Sequence, residues 1–353
     1  MKIERISKPA NAAVEVAQGD DALLDAVASA ADPAHAFLRS QWLRAGGGDI
    51  DIIAASRQDG TPLAAIALTR RRFGPIALGE VAGPYWPFRS FALAADIRDE
   101  ELLAFLSDPA ARKFFGRAWR LGPAYSGDPT ADRLVLLAEA AGWKVLERDL
   151  GSVFELDLAA LRAQGEWPRA KTLRKNRWRE RRLGEIGEIE YCSFTGSDWA
   201  SRHRDAMAEV EQASWLADLE DGSDTKFADP ACRAIWESAA QDPVLAPMLF
   251  GSVMSIGGEA AAFTFGLESG ATRYYIANNY NEKFGRFGPG KILLYRDFAD
   301  CADRGITRIS WGAGDAGYKS EMGATAGPAI RDLLFVRGAG TAAVLRPLFE
   351  RAG

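Results

Sequence analysis

The chain has 353 residues, of which 48% are hydrophobic and 26% are charged, and its formal net charge is −5. This composition is typical of a soluble globular protein, and the length favours two domains over one. No run reaches the roughly eighteen apolar residues of a membrane span, and the first sixteen residues lack the apolar centre of a signal peptide. We therefore expect a cytoplasmic protein with no membrane span.

Cysteine and histidine usage argues against a metal site. The cysteines Cys192, Cys232 and Cys301 lie far apart and form no CxxC pair, which indicates neither a disulfide framework nor a zinc cluster. The two histidines, His35 and His203, have no second ligand at metal-binding spacing. We expect no metal cofactor, so acid–base chemistry must come from Asp, Glu, Tyr, Lys or water.

The first half of the chain alternates helical and strand patterns. The predicted helices and strands, in order, are helices 20–30 and 33–45, strands 50–56, 62–70 and 75–83, helix 99–106, strand 118–123, helix 130–141 and strand 143–158. A turn at Asp59-Gly60 separates the first two strands.

A strongly basic helix is predicted next, at 168–184. Residues 169–182, "RAKTLRKNRWRERR", contain eight basic residues and one acidic residue, Glu180. On a helix Arg174, Arg177 and Arg181 share one face. Two interpretations stay open: a solvated helix whose charges pair with acidic neighbours, or a site for the phosphates of a cofactor, nucleic acid or phosphorylated acceptor.

The second half repeats the order of the first. It predicts strand 188–194, helices 198–215 and 229–240, strands 248–256, 259–267 and 271–278, helix 291–304, and strands 306–311 and 329–337. The hairpin signal Gly257-Gly258 separates two of these strands. The spacing indicates a duplicated α/β unit with a mixed sheet, and we place the domains at 1–150 and 151–353.

This order resembles the GNAT acyltransferase fold, so the two domains would be tandem GNAT-like domains. The stretches "KTLRKNRWRERRLGEIGEIEY" and "YYIANNYNEKFGRFGPGKILLYRDFADCADRGITRISWGAGDAGYKSEMGA" resemble the CelD-like acetyltransferase family, a double-GNAT group related to FemAB-type aminoacyl transferases. The resemblance covers about residues 150–325. It implies an enzyme that transfers an acetyl or longer acyl group from acyl-CoA to an amine or hydroxyl of a small-molecule, glycan or lipid-precursor acceptor.

The resemblance also implies a cofactor loop at the entrance of helix 291–304. In GNAT proteins the loop before this helix turns its amides toward the pyrophosphate of acyl-CoA, so Gly288 and Gly290 would allow positive φ and close approach. Pro289 or Gly290 would begin the helix, and Arg286 and Lys291 would add charge. Gly285 stands where the superfamily usually has Arg or Gln, which leaves open a different phosphate-bearing ligand.

A second candidate is the segment "WGAGDAGYKSEMG", 311–323. Asp315 could take the acceptor's proton and Tyr318 could protonate the departing thiolate, while Lys319 would hold a charged acceptor or pair with Asp315. Alternatively, the segment is a connecting loop in which Asp315 caps a turn and Tyr318 packs. For the acceptor pocket we predict Trp215, Tyr275, Asn278 and Arg174.

The first half lacks a glycine pair at the matching loop, "VAGPYWPFRSFALAADIRDEE", so we expect that domain to be non-catalytic. Two alternatives to acyl-CoA chemistry remain. One is FemAB-like aminoacyl transfer from a charged tRNA, the only case in which a nucleic-acid partner is expected. The other is a non-catalytic binding module on a decayed GNAT fold.

Overall fold

The computed structural model describes residues 14–73, 76–218, 225–314 and 317–351. Its contacts divide the chain into two compact units. Unit 1 runs to Ser152 and resumes at Pro328, and unit 2 comprises Val153–Gly327. The sequence analysis placed a single domain boundary between residues 150 and 151. In the structure the segment that follows Gly327 also belongs with unit 1.

Unit 1 contains a mixed sheet with helices. Its elements are β1 (Val14–Gln18), α1 (Asp21–Ser29), α2 (Ser40–Arg44), β2 (Asp51–Arg57), β3 (Pro62–Phe73), β4 (Ile76–Val81), β5 (Ala92–Leu93), α3 (Asp99–Ser107), α4 (Pro109–Phe115), β6 (Ala118–Tyr125), α5 (Pro129–Ala140) and the first part of β7 (Trp143–Asp157). β1 to β4 are successive antiparallel neighbours, and β4 pairs in parallel with β6.

Unit 2 repeats this arrangement. Its elements are α6 (Leu158–Ala163), α7 (Ala170–Gly184), β8 (Ile189–Thr195), α8 (Ser201–Gln212), α9 (Pro230–Ala239), β9 (Leu249–Ile256), β10 (Glu259–Ser269), β11 (Thr272–Tyr280), α10 (Pro289–Asp303), β12 (Arg308–Ala313) and α11 (Tyr318–Met322). β8 to β11 are antiparallel neighbours, and β11 pairs in parallel with β12. The end of β7 pairs with β12.

The last two elements, β13 (Thr325–Arg337) and α12 (Ala339–Arg351), complete unit 1. β13 pairs antiparallel with β6, from Ile330 opposite Tyr125 to Val336 opposite Ala118. Phe335 of β13 stacks on Trp119 of β6 with ring centroids 4.2 Å apart. The unit 1 core therefore depends on a strand from the far end of the chain.

Local sequence accounts for many of the element boundaries. Three helices, α4, α5 and α9, begin with the pair Asp-Pro, in which the aspartate accepts an amide hydrogen bond from the first turn and proline occupies the first helical position. Gly257 and Gly258 have φ of 58° and 83° and connect β9 to β10, which confirms the predicted hairpin.

The prediction for 33–45 was wrong in detail. That stretch forms a 3-10 turn at Pro33–His35 and a separate short helix, α2. The fold class itself is mixed α/β with mixed sheets, as predicted.

Candidate active site

The candidate site of unit 2 lies where two parallel strands separate. Within the described strands, β11 and β12 pair from Thr272 opposite Arg308 to Tyr274 opposite Ser310 and then diverge. β11 nevertheless continues to Tyr280 and β12 to Ala313. This gap leads to a cavity of about 420 Å³.

The cavity is lined mainly by the end of β11 and the entrance of α10, with single side chains from α7, from the 3-10 turn Trp215–Asp218 and from α11. Its lining residues are Arg179, Trp215, Asn278, Asn279, Tyr280, Gly285, Arg286, Gly288, Gly290, Lys291, Leu294 and Tyr318. The structure thus brings together seven residues singled out from the sequence: Trp215, Asn278, Arg286, Gly288, Gly290, Lys291 and Tyr318.

The glycines at the entrance of α10 have different roles. Gly288 is the N-cap in the left-handed conformation, with φ +59°, and Pro289 is the first helical residue. Gly290 lies inside the helix and does not use the positive φ that glycine would allow; a Cβ at this position would meet Tyr280 at an ordinary 3.5 Å. A side chain longer than that of alanine at position 290 would extend into the cavity. Gly290 therefore keeps this part of the cavity open.

Three cationic side chains surround this entrance. Arg179 of α7 is half-buried against Gly288, and its guanidinium donates to Asn176 Oδ1 at 3.2 Å. Arg286 is exposed, with its guanidinium 5.5 Å from the centroid of the Phe287 ring. Within the described residues neither arginine forms an ion pair, and burial lowers the pKa of Arg179. Both can therefore accept an anionic partner.

Lys291 differs from these two arginines because it is already paired. Its Nζ lies 2.7 Å from Glu321 Oε2. The hydrogen bond from Lys291 holds the pKa of Glu321 below its usual range. An incoming anion would have to compete with Glu321 for this ammonium group.

Among the three cationic residues that line the cavity, Arg179 is the one that the sequence analysis did not name as a site residue. The helical spacing of Asn176, Arg179 and Leu183 could have revealed it, because positions i, i+3 and i+7 share a face and Leu183 is fully buried. Arg174, which was predicted to bind substrate, is exposed and does not line the cavity.

Lys319 is buried and bonded to backbone rather than open to an acceptor. Only 6% of its surface is exposed, and its Nζ donates to the carbonyls of Trp311, Ala313 and Gly314 at 3.1, 3.0 and 2.6 Å. The Gly312 carbonyl lies at 3.5 Å. The ammonium group thus lies against four successive carbonyls at the end of β12, from Trp311 to Gly314.

Tyr318 begins α11 directly beside the cavity. Its hydroxyl donates to Asn278 Oδ1 at 3.4 Å, and this contact spans the gap between β11 and the segment after β12. Asp315, the predicted base, lies outside the described residues, and its role stays a prediction.

Tyr275 does not reach the cavity, so its predicted place in the acceptor pocket was wrong. It is 2% exposed and packs among the rings of Phe250, Phe298 and Trp311 in the unit 2 core. Burial raises the pKa of its hydroxyl. On β11 the residue at 278 faces the cavity, whereas the residue at 275 packs in the core.

The histidines lie inside the two units. His35 contacts Asp128 at 3.3 Å, and His203 stacks on Phe194 with centroids 4.2 Å apart. No group of three or more His, Cys, Asp or Glu side chains that could hold a metal occurs in the part of the chain that is described. Among the same residues, no helix is long and apolar enough to cross a membrane.

Part of the chain matches a known protein family. Residues 170–320, from the first residue of α7 to α11, match the family model described as an acetyltransferase (GNAT) domain. A search of curated protein sequences gives no significant match. The family match is to the broad GNAT domain, and the CelD-like subgroup stays a prediction.

Three solved structures resemble the whole chain. FemX shares 12% identity with a TM-score of 0.62 over 94% of this chain and 100% of its own. L-PGS from Bacillus licheniformis shares 14% identity with a TM-score of 0.53 over 94% of this chain and 95% of its own. The C-terminal domain of a putative lysylphosphatidylglycerol synthetase from Agrobacterium fabrum shares 15% identity with a TM-score of 0.52 over 92% of both chains.

At these identities the likeness shows the fold alone. The chain has a GNAT-like fold of two tandem units, as predicted, and the stretch that matches the acetyltransferase (GNAT) domain lies within unit 2.

Proposed function

We propose that this protein transfers an acyl group from acyl-CoA to an amine or hydroxyl, with unit 2 as the catalytic unit. The observation that carries the proposal is the cavity at the gap between β11 and β12. The N-terminus of α10 opens at its rim, and Arg179 and Arg286, cationic side chains with no ion pair among the described residues, line it.

The entrance of α10 suits the diphosphate of a coenzyme. A helix N-terminus has a partial positive charge and amide groups directed outward, and both favour a phosphate. Gly288 presents no side chain there, so the backbone can approach closely. Arg179 and Arg286 supply the formal charge that matches a diphosphate, while Lys291 is shared with Glu321.

The chemistry follows from Tyr318 and Asn278. The acceptor nitrogen or oxygen attacks the thioester carbonyl, the new C–N or C–O bond forms, and the C–S bond breaks. Tyr318 gives its hydroxyl proton to the departing thiolate, and the acceptor's proton passes to water or to the base predicted at Asp315. Asn278 directs the Tyr318 hydroxyl across the gap.

For the acceptor we propose a small molecule or a glycan or lipid precursor, as the CelD-like resemblance implies. Trp215, half of whose surface is exposed, lines the cavity and offers a flat apolar surface for it. The name of one similar structure, a putative lysylphosphatidylglycerol synthetase, supports a lipid-linked acceptor.

Thermal stabilisation by acetyl-CoA and by longer acyl-CoAs tests the donor. At about one hundred times the dissociation constant, binding should add about 2.7 kcal/mol to the free energy of unfolding. The double variant Arg179→Gln/Arg286→Gln should lose most of this gain, whereas Arg117→Gln/Arg346→Gln, at two exposed arginines of unit 1, should keep it. No stabilisation of the wild type by any acyl-CoA, together with transfer from charged tRNA, would replace acyl-CoA by aminoacyl-tRNA as the donor.

A further inference from the structure

The outward face of α7 is an exposed basic surface with a tryptophan at its centre. Six basic side chains surround Trp178, which is 49% exposed, and all six are exposed themselves: Lys171, Arg174, Lys175, Arg177, Arg181 and Arg182. We call these seven residues the α7 surface. Within the described residues, Arg182 alone among the six has an ion-pair partner, Glu185 at 2.7 Å.

The α7 surface carries more positive charge than the phosphates of a coenzyme require. The cavity already has Arg179, Arg286 and Lys291 for phosphates. The charges from Lys171 to Arg181 extend along about 15 Å of helix on the side opposite buried Leu183. Five cations on one face, none of them ion-paired within the described part of the chain, attract a larger anionic partner.

A partner on this face would sit at the mouth of the cavity. Arg179, on the inner side of the same helix, lines the cavity next to Gly288. The Trp178 ring packs edge-on against Phe287, with centroids 6.2 Å apart, and Phe287 directly precedes Gly288. Docking on α7 is therefore structurally linked, through Trp178 and Phe287, to the loop at the entrance of α10.

We propose that the α7 surface docks an acidic acyl-carrier domain, which presents the acyl group to the cavity on a phosphopantetheine arm. The proposal rests on the proposed acyl transfer and names a second donor for the same site. The arm ends in the same pantetheine thioester as acyl-CoA and has one phosphate. The acceptor attacks its carbonyl carbon, the C–S bond breaks, and the carrier keeps the protonated thiol.

Charge distribution favours a small acidic domain over a long polyanion. Residues 169–182 contribute a net charge of +7 to a chain whose total is −5, so all the other residues together carry −12. A nucleic acid or an anionic membrane extends beyond one helix and would meet this acidic remainder, whereas a small domain contacts roughly 800 Å². Trp178 provides the central aromatic anchor that such interfaces use.

The test compares two donors on the full chain. The probes are acetyl-loaded acyl carrier protein from bacterial fatty-acid synthesis and acetyl-CoA. The variants are Lys171→Glu/Arg177→Glu/Arg181→Glu and, separately, Trp178→Ala; the matched control is Arg117→Glu/Arg346→Glu/Arg351→Glu in unit 1, and melting curves confirm folding. We expect the α7 triple variant to lower transfer from the carrier by about 100-fold and transfer from acetyl-CoA by less than about threefold.

Binding is measured separately by calorimetry with the unloaded carrier, with bulk tRNA and with phosphatidylglycerol vesicles. The wild type should bind the carrier, Trp178→Ala should weaken this binding by about tenfold, and the unit 1 control should not change it. The proposal is overturned if the carrier does not bind, if the triple variant affects both donors equally, or if it abolishes tRNA or vesicle binding instead. Carrier binding without transfer from either donor would refute the proposed function and leave the docking surface standing.

Discussion

The two units have the same strand order but differ at the gap between their parallel strands. In unit 1, β4 and β6 pair only at Gly79 with Trp119 and Glu80 with Arg120. The chain after β4 then fills the gap: the Arg89 amide donates to the Pro123 carbonyl at 2.7 Å, and the Tyr125 hydroxyl donates to the Pro87 carbonyl at 2.8 Å. In unit 2 the corresponding gap remains a cavity.

The difference begins in the loop that follows the fourth strand. "GPYWPFR" in unit 1 places Phe88 in the core, 5.0 Å from the Tyr125 ring, whereas "GRFGPGK" in unit 2 turns at Gly288 and starts a helix at once. An aromatic loop closes the gap and a glycine loop leaves it open. The repeated arrangement thus gives two gaps, and the chemistry of the loop decides which of them stays open.

The arginines at the cavities of the two units also differ, in whether they form ion pairs. Unit 1 has a cavity of about 480 Å³ against β3 and the end of β4, lined in part by Arg70, Arg71 and Arg89. Each of these arginines is paired, Arg70 with Asp51 and the other two with Glu80. The unit 2 cavity keeps two arginines without ion pairs among the described residues, which is why we place anion binding there.

The largest expected effect separates the tyrosines of the two gaps. Tyr318→Phe should lower acyl transfer by about 10²- to 10⁴-fold, because it removes a positioned proton donor, while donor affinity changes little. Tyr125→Phe, which removes the hydroxyl bonded to Pro87, should leave turnover unchanged and cost about 1 kcal/mol of stability. Single-turnover transfer from labelled acyl-CoA measures both. If Tyr318→Phe stays within about threefold of wild type, Tyr318 is structural.

The next effect concerns the filled gap. Phe88→Ala should lower the free energy of unfolding by about 3–5 kcal/mol, because a buried aromatic side chain is lost from unit 1. Trp215→Ala, at an aromatic side chain that is half exposed at the open cavity, should cost less than about 1 kcal/mol. Denaturant unfolding compares the two. A larger loss at Trp215 would contradict the assignment of closed and open gaps.

Lys319→Met should have an intermediate effect. The substitution keeps the aliphatic stem but removes the donor to the carbonyls at the end of β12, so we expect a loss of about 1–3 kcal/mol of stability. Lys291→Met, which breaks one half-exposed ion pair, should cost no more than about 1 kcal/mol yet weaken acyl-CoA binding. Equal stabilities for the two variants would show that the carbonyl contacts of Lys319 contribute no more than the half-exposed Lys291 ion pair.

The smallest expected effect distinguishes the two glycines of the loop at the entrance of α10. Gly288→Ala should destabilise the protein by about 1–2 kcal/mol, because alanine is strained at φ +59°. Gly290→Ala lies in a helix with room for a methyl group and should stabilise it by about 0.4–1 kcal/mol. Melting curves without ligand measure both. The same sign for both variants would mean that the loop does not adopt this conformation.

The sequence predicted what depends on local patterns. Alternating strands, the Gly257-Gly258 hairpin and the helix after Gly288 all follow from residues close together in the chain. It did not predict that β13 joins unit 1, because that pairing links residues about two hundred positions apart. Nor did it predict that Lys319 would be enclosed by carbonyls, since the path of 311–314 depends on how that segment packs.

The site was predicted unevenly for the same reason. Gly288 and Arg286 were named from the sequence because they belong to a recognisable loop. Identifying Arg179 would have required asking which face of α7 carries Leu183. Tyr275 and Asn278 lie close together on one strand, yet packing places the first in the core and leaves the second at the cavity.

The place of β13 in unit 1 also determines the order in which the protein can assemble during synthesis. All of Val153–Gly327 leaves the ribosome before the part of β13 that pairs with β6, Ile330 to Val336, so unit 2 can finish folding first. At about 5–20 residues per second, the edge of β6 waits roughly 10 to 40 seconds for its partner. An unpaired strand edge invites aggregation, and charged residues and proline are the usual protection. β6 carries both, Arg120 and Pro123, although it becomes an interior strand in the finished protein.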